Sequence, residues 1–598
     1  MASDGVELFA ETWLPAPRHG LRPPARLPSV LVMSPYTGYN RTTRTSQKIV
    51  AALVPRGYAV TQMHVRGTGE SGGCLEFFSA READDGARMV EWLATRSPWG
   101  DGTVGAIGLS YWATTALNTA ARGDRALTKY LKAVVAAAPV TSSYDHVRND
   151  GVHRFWVTNT THNTGSMYGY SLLSGHSPTE TLVTGEDPTP VVEALTDPRT
   201  LPEPAHVPQK GACVAETVAA ETAPGSDYTT YFAARDLRPH AGSIRAATLM
   251  FHGHRDGAVP TIMQAGFFDR IRAPKAGVFG VFDHEFPDEH YSGLRPEWER
   301  ADTFPMIVAW FDRYVRGRRD TGVESWPAAQ VQGSDGHWRV ERSWPRTGGP
   351  PGQLALSAGG ILGAASPTGR SVVVDAVPFD DASPVAGPNQ RVVFDSGPLK
   401  ERLEIVGGPL LDTWVTVDRS DAHLAVALTA YGRDGEPLPD GRIVGARSLR
   451  HVAPFRHGGF AQETGAPAPV GVPFRVLIRL PVIDLVVPRG GRITISIAGS
   501  QTTGPGVEGT AGLPVSVFEY PTEPSFSGAT VTVHHDCAHP TALRFLLPSQ
   551  TAVVLDVEER GRVFPDRSVP PSLPDSDGGH ARRSVCGVAA VDPYALTG

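Results

Sequence analysis

Cysteine, lysine and long apolar runs are scarce in this chain of 598 residues. Its 4 cysteines stand singly without a CxxC pair, which argues against zinc-ribbon and thioredoxin-type sites and suits a reducing compartment. No run of about 18 apolar residues predicts a membrane-spanning helix. The first residues lack the basic and apolar segments of a signal peptide. We therefore expect a cytoplasmic protein that does not enter membranes.

A strong charge of either sign is also missing. Lysine and arginine together number 55 against 62 acidic residues, so the net charge is −7, and no basic face stands out. Since binding to a phosphate backbone needs a basic stripe, nucleic acid is not an expected partner. The chain does contain 11 Trp, 22 Phe and 15 Tyr. These side chains suffice to bury a large core, so global disorder is excluded.

Short apolar runs alternate with helical patterns in two parts of the chain. Six runs predict buried strands, over residues 29–34, 58–64, 103–108, 131–138, 247–252 and 276–282. Apolar spacing predicts helices over residues 82–94, 111–121 and 307–315. Strands that alternate with helices predict an α/β fold with a parallel, doubly wound sheet.

The pattern divides the chain into five segments. Residues 1–140 and 241–345 form the two parts of the α/β domain. Residues 141–240 are irregular and rich in Thr, Asn, Gly and aromatic residues, which predicts an inserted cap. Over residues 346–560, turns rich in Gly and Pro separate short alternating runs, as in an all-β jelly roll. Residues 561–598 carry several prolines and predict an extended tail.

Gly108-Leu109-Ser110-Tyr111 stands where a predicted strand ends and a predicted helix begins. A nucleophile elbow needs this context, because the sharp turn exposes the serine at the sheet edge and places backbone N–H groups beside it. The fit is imperfect, since Trp112 occupies the position where the usual pattern has glycine. The alternative is a serine that caps an ordinary helix.

Two further residues complete a triad in the chain order serine, acid, histidine. Asp256 follows the predicted strand 247–252 and His284 follows 276–282, so both lie at carboxyl ends of parallel strands, where sites of open α/β sheets gather. His284 would accept the proton of Ser110, and Asp256 would orient the imidazole and stabilise its charged form. Each residue alone could be an ordinary turn or surface residue. The ordered set predicts a serine hydrolase that needs no cofactor.

Motifs across nearly the whole chain resemble those of the cocaine esterase and X-prolyl dipeptidyl-peptidase family of serine hydrolases. They lie at residues 4–8, 35–36, 66–73, 97–102, 108–113, 253–256, 283–284, 394–399 and 535–540. The resemblance implies an α/β-hydrolase with a cap and a non-catalytic C-terminal jelly roll. It also implies that residues 4–8 form the opening strand.

By the same resemblance, the hydroxyl of Tyr36 and the backbone N–H of Tyr111 form the oxyanion hole. A phenol at a strand end can point to the same position as the elbow amide, although a turn tyrosine is the simpler alternative. The chain departs from the family pattern at His64, which is usually Asp, at Ala113, which is usually Gly, and at His254, which is often aromatic. These departures remove no catalytic group, but they make a transfer of substrate unsafe.

Aromatic residues near the elbow and in the cap are candidates for substrate binding. Trp112, Phe155 and Trp156 could line an acyl pocket, and they could equally be core residues. Acidic side chains just past the histidine could bind a substrate ammonium, although such residues more often form a solvated loop. They are Glu285, Asp288 and Glu289.

A cluster of polar residues in the C-terminal segment has the types found in metal sites. It comprises His534, His535, Asp536, Cys537 and His539. Alternation along a strand would send these side chains to opposite faces. We therefore expect a structural role and no metal.

Four functions fit these residues. The first is cleavage of an ester or amide acyl bond through an acyl-enzyme on Ser110. The others are removal of X-Pro dipeptides, acyl transfer within a biosynthetic pathway, and binding without catalysis. A vestigial site has no reason to keep Ser110, Asp256, His284 and Tyr36 together, which argues against the last. The expected partner is a small-molecule ester, an amide or a short peptide, and a homo-oligomer stays open.

Overall fold

A computed structural model describes most of the chain, in segments. These are residues 2–16, 26–36, 44–153, 220, 227–264, 266–288, 299–345, 349–363, 369–375, 391–420, 422–450, 466–499, 529–548, 554–558 and 562–565. Most of the predicted cap and tail, with Phe155 and Trp156, therefore lies outside the described residues. Among the described residues, no helix is both long enough and apolar enough to cross a bilayer.

The described elements are numbered in chain order. The strands are β1 (Ala10–Trp13), β2 (Leu27–Ser34), β3 (Ala59–His64), β4 (Gly100–Leu109), β5 (Leu131–Ala137), β6 (Arg148–Asn149), β7 (Val152–His153), β8 (Ala247–Gly253), β9 (Lys275–Gly280), β10 (Ala329–Gln332), β11 (Trp338–Glu341), β12 (Pro351–Ser357), β13 (Ile361–Gly363), β14 (Arg370–Asp375), β15 (Arg391–Asp395), β16 (Leu403–Val417), β17 (His423–Tyr431), β18 (Pro437–Ser448), β19 (Phe474–Arg479), β20 (Ile483–Val487), β21 (Arg492–Ala498), β22 (Ala529–His534), β23 (Ala542–Leu546), β24 (Val554–Glu558) and β25 (Arg562–Pro565). The helices are α1 (Arg44–Leu53), α2 (Ala80–Thr95), α3 (Tyr111–Ala121), α4 (Arg125–Tyr130), α5 (Ser143–Val147), α6 (Thr230–Ala233), α7 (Phe267–Arg270) and α8 (Thr303–Tyr314).

The first sheet has the order β1-β3-β2-β4-β5-β8-β9-β10-β11-β24-β25. Neighbouring strands from β3 to β10 pair in parallel, while β1, β11, β24 and β25 pair antiparallel at the edges. Every residue of β2, β3 and β8 is buried, which is typical of a parallel sheet covered on both faces. The strand order passes from β5 to β8 because the two described strands between them, β6 and β7, form a separate two-stranded sheet. This is the mainly parallel sheet of an α/β fold that the alternation predicted.

The second sheet contains β12 to β23 and has its own hydrophobic core. Strand β16 is the longest. Its first part pairs with β20 and its later part with β19 and β22, while its pairing with β23 shifts register at a bulge between Val406 and Leu410. All pairs except β13 with β15 are antiparallel. The C-terminal part is therefore an all-β jelly-roll domain, as predicted.

Three details differ from the sequence predictions. The opening strand is Ala10–Trp13 and not residues 4–8, because pairing with β3 determines where this edge strand forms. Residues up to 560 were expected in the jelly roll, yet β24 pairs with β11 of the first sheet. Cys74 and Cys537 are both disulfide-bonded, which the cysteine spacing did not predict.

Candidate active site

The three candidate triad residues lie at the same edge of the first sheet. Ser110 directly follows β4, Asp256 follows β8 and His284 follows β9. Since β4, β5, β8 and β9 are consecutive and parallel, their carboxyl ends face the same way. The topology therefore brings together three residues that are far apart in sequence.

Ser110 has the strained backbone of a nucleophile elbow. Its φ is 58° and its ψ is −124°, a combination that non-glycine residues rarely adopt. A Cβ on Gly108 would lie 2.2 Å from the carbonyl carbon of Trp112 and 2.5 Å from the nitrogen of Ala113, so this position requires glycine. Ser110 makes no capping hydrogen bond to helix α3, which excludes the ordinary N-cap alternative.

The acid and base segments are held against each other by a close backbone approach. A Cβ on Gly253 would lie 1.9 Å from the carbonyl oxygen of Phe282, so only glycine fits where the two turns meet. The N–H of Arg255 donates to the same carbonyl oxygen at 3.2 Å. The turn that carries Asp256 and the turn that carries His284 are therefore positioned as a unit.

Asp256 is buried and contacts two histidines. Its Oδ2 lies 2.8 Å from Nδ1 of His284 and 3.3 Å from Nε2 of His252, and its Oδ1 accepts a hydrogen bond from the N–H of Val259 at 2.6 Å. This arrangement fixes the carboxylate and leaves Nε2 of His284 for chemistry. Sequence reasoning missed His252, whose only signal was its place in the strand before the acid.

The pKa values of the pair suit a general base and its partner. Burial raises the pKa of Asp256, but the charge of His284 and hydrogen bonds from His252 and His284 outweigh burial and hold it well below its usual range. Burial lowers the pKa of His284, yet the charge and hydrogen bond of Asp256 raise it above its usual value on balance. Asp256 therefore stays ionised and stabilises a protonated His284.

Tyr36 lies beside the elbow, just past the end of β2. Its ring is half-buried, with its centroid 6.3 Å from that of Tyr111 in an edge contact and 6.2 Å from that of Trp112. Tyr111 is the first residue of α3, so its backbone N–H belongs to a helix N-terminus. Trp112 is only 3% exposed and packs in the core, which leaves a substrate little access to its ring.

A buried glutamate beneath the elbow was not singled out from the sequence. The carboxylate of Glu82 accepts hydrogen bonds from the hydroxyl of Tyr111 at 3.0 Å and from the N–H of Phe78 at 3.1 Å. Burial raises the pKa of Glu82 to about 7, although these two hydrogen bonds oppose that rise. Phe77 and Phe78 both have positive φ. The one sequence signal was the capping pattern Ser79-x-x-Glu82 at the start of α2.

The other sequence candidates are placed as follows. Asp288 accepts a hydrogen bond from Nζ of Lys48 at 2.9 Å, so it already holds a cation, and Glu289 lies outside the described residues. Nδ1 of His64 lies 2.8 Å from Oε2 of Glu70, and His254 is buried with its ring against Trp344. Their departures from the family pattern leave the Asp256–His284 pair intact.

The C-terminal cluster differs from the expectation that its side chains diverge. Strand β22 ends at His534, so the alternation of side chains stops there. Potential ligand atoms of His534, Asp536 and His539 all lie within 4.8 Å of one another.

A mainly parallel sheet that carries a strained serine and a histidine–aspartate pair at one edge defines an α/β-hydrolase. Comparison with known families agrees. Residues 4–285 match the X-Pro dipeptidyl-peptidase (S15 family) model, and residues 321–543 match that of the X-Pro dipeptidyl-peptidase C-terminal non-catalytic domain. The chain belongs to the cocaine esterase and X-prolyl dipeptidyl-peptidase family, and it is a serine hydrolase.

Curated relatives are distant. A protein assigned as a Xaa-Pro dipeptidyl-peptidase from Streptomyces avermitilis is 23% identical over 75% of this chain and 68% of its own length. A protein assigned as a serine esterase from Mycobacterium tuberculosis is 25% identical over 84% of this chain and 89% of its own. The match spans only 60% of a Bacillus anthracis relative also assigned as a Xaa-Pro dipeptidyl-peptidase. Relatives of this chain have thus been assigned to both activities.

Solved structures support the fold. A CocE/NonD family hydrolase from Staphylococcus aureus aligns with a TM-score of 0.67 at 16% identity, covering 91% of this chain and 92% of that one. An α-amino acid ester hydrolase aligns with a TM-score of 0.64 at 17% identity, covering 92% of this chain and 95% of that one. Identities this low bear on the fold and not on the substrate.

Proposed function

We propose that this chain hydrolyses a small carboxylic ester or amide through an acyl-enzyme on Ser110. The observation that carries the proposal is the 2.8 Å contact between Nδ1 of His284 and Oδ2 of Asp256, at the sheet edge where Ser110 is held in a strained turn. An ordinary buried ion pair would not require a strained serine at the same edge.

The first half of the reaction forms the acyl-enzyme. Oγ of Ser110 attacks the acyl carbon while Nε2 of His284 takes its proton. Asp256 stays ionised, holds the Nδ1–H of His284 and stabilises the imidazolium. The N–H of Tyr111 and the hydroxyl of Tyr36 donate hydrogen bonds to the oxyanion of the tetrahedral intermediate. The imidazolium then protonates the leaving alcohol or amine as the intermediate collapses.

The second half releases the acid. A water molecule gives its proton to Nε2 of His284 and attacks the acyl carbon bound to Ser110, through an oxyanion held by the same two donors. Collapse returns the proton to Oγ and frees the carboxylic acid. Among the described residues, Oγ of Ser110 has no hydrogen-bond partner, and catalytic hydrogen bonds often tighten only when a substrate is bound.

Removal of X-Pro dipeptides is the second candidate, favoured by the assignments of several relatives. It requires a carboxylate that binds the free α-ammonium of the peptide. Of the acidic residues considered for this role, Asp288 is paired with Lys48. We place ester or amide hydrolysis first because it requires no such carboxylate.

Covalent labelling with a fluorophosphonate, followed by peptide mapping, tests the proposal. We expect one labelled peptide that contains Ser110, and no label in the Ser110→Ala variant. Wild type is then assayed with p-nitrophenyl esters, acyl anilides and X-Pro anilides. Turnover of X-Pro anilides above the esters would favour the second candidate. Absence of label in folded protein would contradict both.

A further inference from the structure

Three side chains on the jelly-roll domain, all of types that bind metals, lie close together outside the residues of the proposed mechanism. His534 ends strand β22, and Asp536 and His539 lie in the turn that leads to β23. Their potential ligand atoms all lie within 4.8 Å of one another. Bonds of about 2.1 Å around a tetrahedral zinc ion place ligand atoms about 3.4 Å apart, so the three groups are close to a coordination shell.

His534 presents a buried nitrogen that lacks a hydrogen bond. The residue is 3% exposed, and its Nε2 lies 2.7 Å from Oγ1 of Thr416 on the neighbouring strand β16. Its Nδ1 is buried and has no hydrogen-bond partner. If Nε2 carries the proton and donates it to Thr416, Nδ1 offers a lone pair. Histidine ligands of metals are commonly oriented by such a hydrogen bond from the other ring nitrogen.

The turn fixes the other two ligands. Oδ1 of Asp536 accepts hydrogen bonds from the N–H groups of Ala538 at 3.0 Å and His539 at 2.9 Å. Nδ1 of His539 lies 3.5 Å from the same Oδ1, so the imidazole stands beside the carboxylate. The ring of His539 packs edge-on against Trp414, with 5.1 Å between centroids. Both side chains are partly exposed, so a fourth position can hold water.

Neighbouring polar residues do not complete the set. Nε2 of His535 lies 3.0 Å from Oγ of Ser371, and its ring packs against Phe394, so it faces another direction. Cys537 is disulfide-bonded and cannot offer a thiolate. Two imidazoles and one carboxylate remain, a donor set that suits zinc and the metals next to it in affinity, and not magnesium or calcium.

We propose that His534, Asp536 and His539 bind one zinc-type divalent ion. The ion ties the turn after β22 to the strands beneath it, since His534 is anchored to Thr416 on β16. It takes no part in the reaction at Ser110, because no residue of the site belongs to the proposed mechanism.

Equilibrium dialysis of chelator-stripped, tag-free protein against zinc, with elemental analysis of both chambers, tests the proposal. We expect one equivalent that is lost or weakened at least about tenfold in His539→Ala, whose side chain is partly exposed and whose loss should not disturb the core. Asp536→Asn keeps an acceptor for the turn but removes the charge, and it should weaken binding too. His240→Ala is the matched control, because His240 is an exposed histidine that does not belong to the cluster.

Cobalt supplies a readout that does not depend on stability. Cobalt bound by two imidazoles and a carboxylate gives visible absorption bands, which should appear in wild type and in His240→Ala and be absent in His539→Ala. Zinc binding with equal affinity in wild type and His539→Ala would show adventitious binding elsewhere and overturn the proposal. Less than half an equivalent in saturating zinc would also overturn it.

Discussion

Tyr36 bears on catalysis in a way that one substitution can measure. Its ring packs against Tyr111 and Trp112, so Tyr36→Phe keeps the packing and removes only the hydroxyl. If that hydroxyl binds the oxyanion, kcat should fall by about 10²–10³ with little change in KM, as for the loss of one oxyanion donor. Steady-state kinetics on the best ester substrate measures the effect. Normal turnover in a variant with an unchanged melting temperature would remove Tyr36 from the mechanism.

The histidine–aspartate pair predicts the pH dependence of turnover. His284 acts as a base only when neutral, and the neutral fraction falls as the pH drops below its pKa. Because Asp256 raises that pKa above the usual 6.5, the acid limb of kcat/KM should lie above pH 6.5. A pH–rate profile on an ester with a fast leaving group locates the limb. A limb centred below the usual histidine value would contradict the assignment of His284 as the base.

The sequence alone could locate a site residue where its chemical type and its position after a predicted strand both pointed to the sheet edge. Ser110, Asp256 and His284 each follow a recognisable apolar strand, so their order and location pointed to one edge. Glu82 and His252 lack such a signal. Their importance depends on burial and on partners brought in by the fold, Tyr111 for one and Asp256 for the other. For Trp112 the sequence left a pocket position and a core position open, and its burial favours the core.

At the scale of elements, the buried start of α2 supports the elbow. Glu82 accepts hydrogen bonds from Tyr111 and from Phe78 in the preceding loop, where Phe77 and Phe78 have positive φ. Arg235 holds the same loop from the other side through the carbonyls of Glu76 and Phe77. Apolar periodicity could not predict the contacts of Tyr111 and Arg235 with this region, because both residues are far from it in sequence.

Glu82 should make the protein less stable as the pH rises. Burial raises its pKa in the folded state from 4.5 to about 7, so the folded protein keeps a proton that the unfolded chain loses in this range. The stability contribution is therefore complete below pH 4.5 and lost as the pH rises to about 7. Melting temperatures of wild type and Glu82→Gln, measured from about pH 5 to 8, should diverge with rising pH in favour of the variant. The exposed Glu91→Gln on the same helix is the control, and a constant difference for Glu82→Gln would contradict the prediction.

The observed bounds of helices and strands show which elements the apolar pattern could predict and which it could not. Central strands such as β2 and β8 were predicted almost to the residue because every side chain is apolar or buried. Helix α1 was missed, since Ile49 and Leu53 are its only fully buried apolar residues and its first turn is polar. Strand β1 is half-buried throughout and exists through its pairing with β3.

At the scale of the whole molecule, the two domains are joined by buried ion pairs that no local pattern predicts. Arg479 at the end of β19 lies 3.1 Å from Asp145 of α5, and its Nε donates to Oδ2 of Asp150 at 3.0 Å. Asp145 also pairs with Arg238 of the first domain. Beside them, Val152 packs in a cluster with alanines and Val444 of β17 and β18. The jelly roll is thus attached to the described segment that follows β5, residues 138–153.

Arg479→Ala should weaken this attachment more than a matched change elsewhere on the strand. Removing Arg479 leaves the carboxylate of Asp150 buried without its main cation, and breaking a buried pair in this way costs about 3–5 kcal/mol. Arg475→Ala is the control, because Arg475 is 39% exposed and its partner Asp412 keeps a second hydrogen bond from Arg544 at 2.7 Å. Calorimetry should show a lower first transition for Arg479→Ala, with the two domains unfolding separately, and nearly the wild-type trace for Arg475→Ala. If both variants melt alike, the ion pairs do not couple the domains, and the apolar contacts around Val152 must hold them together instead.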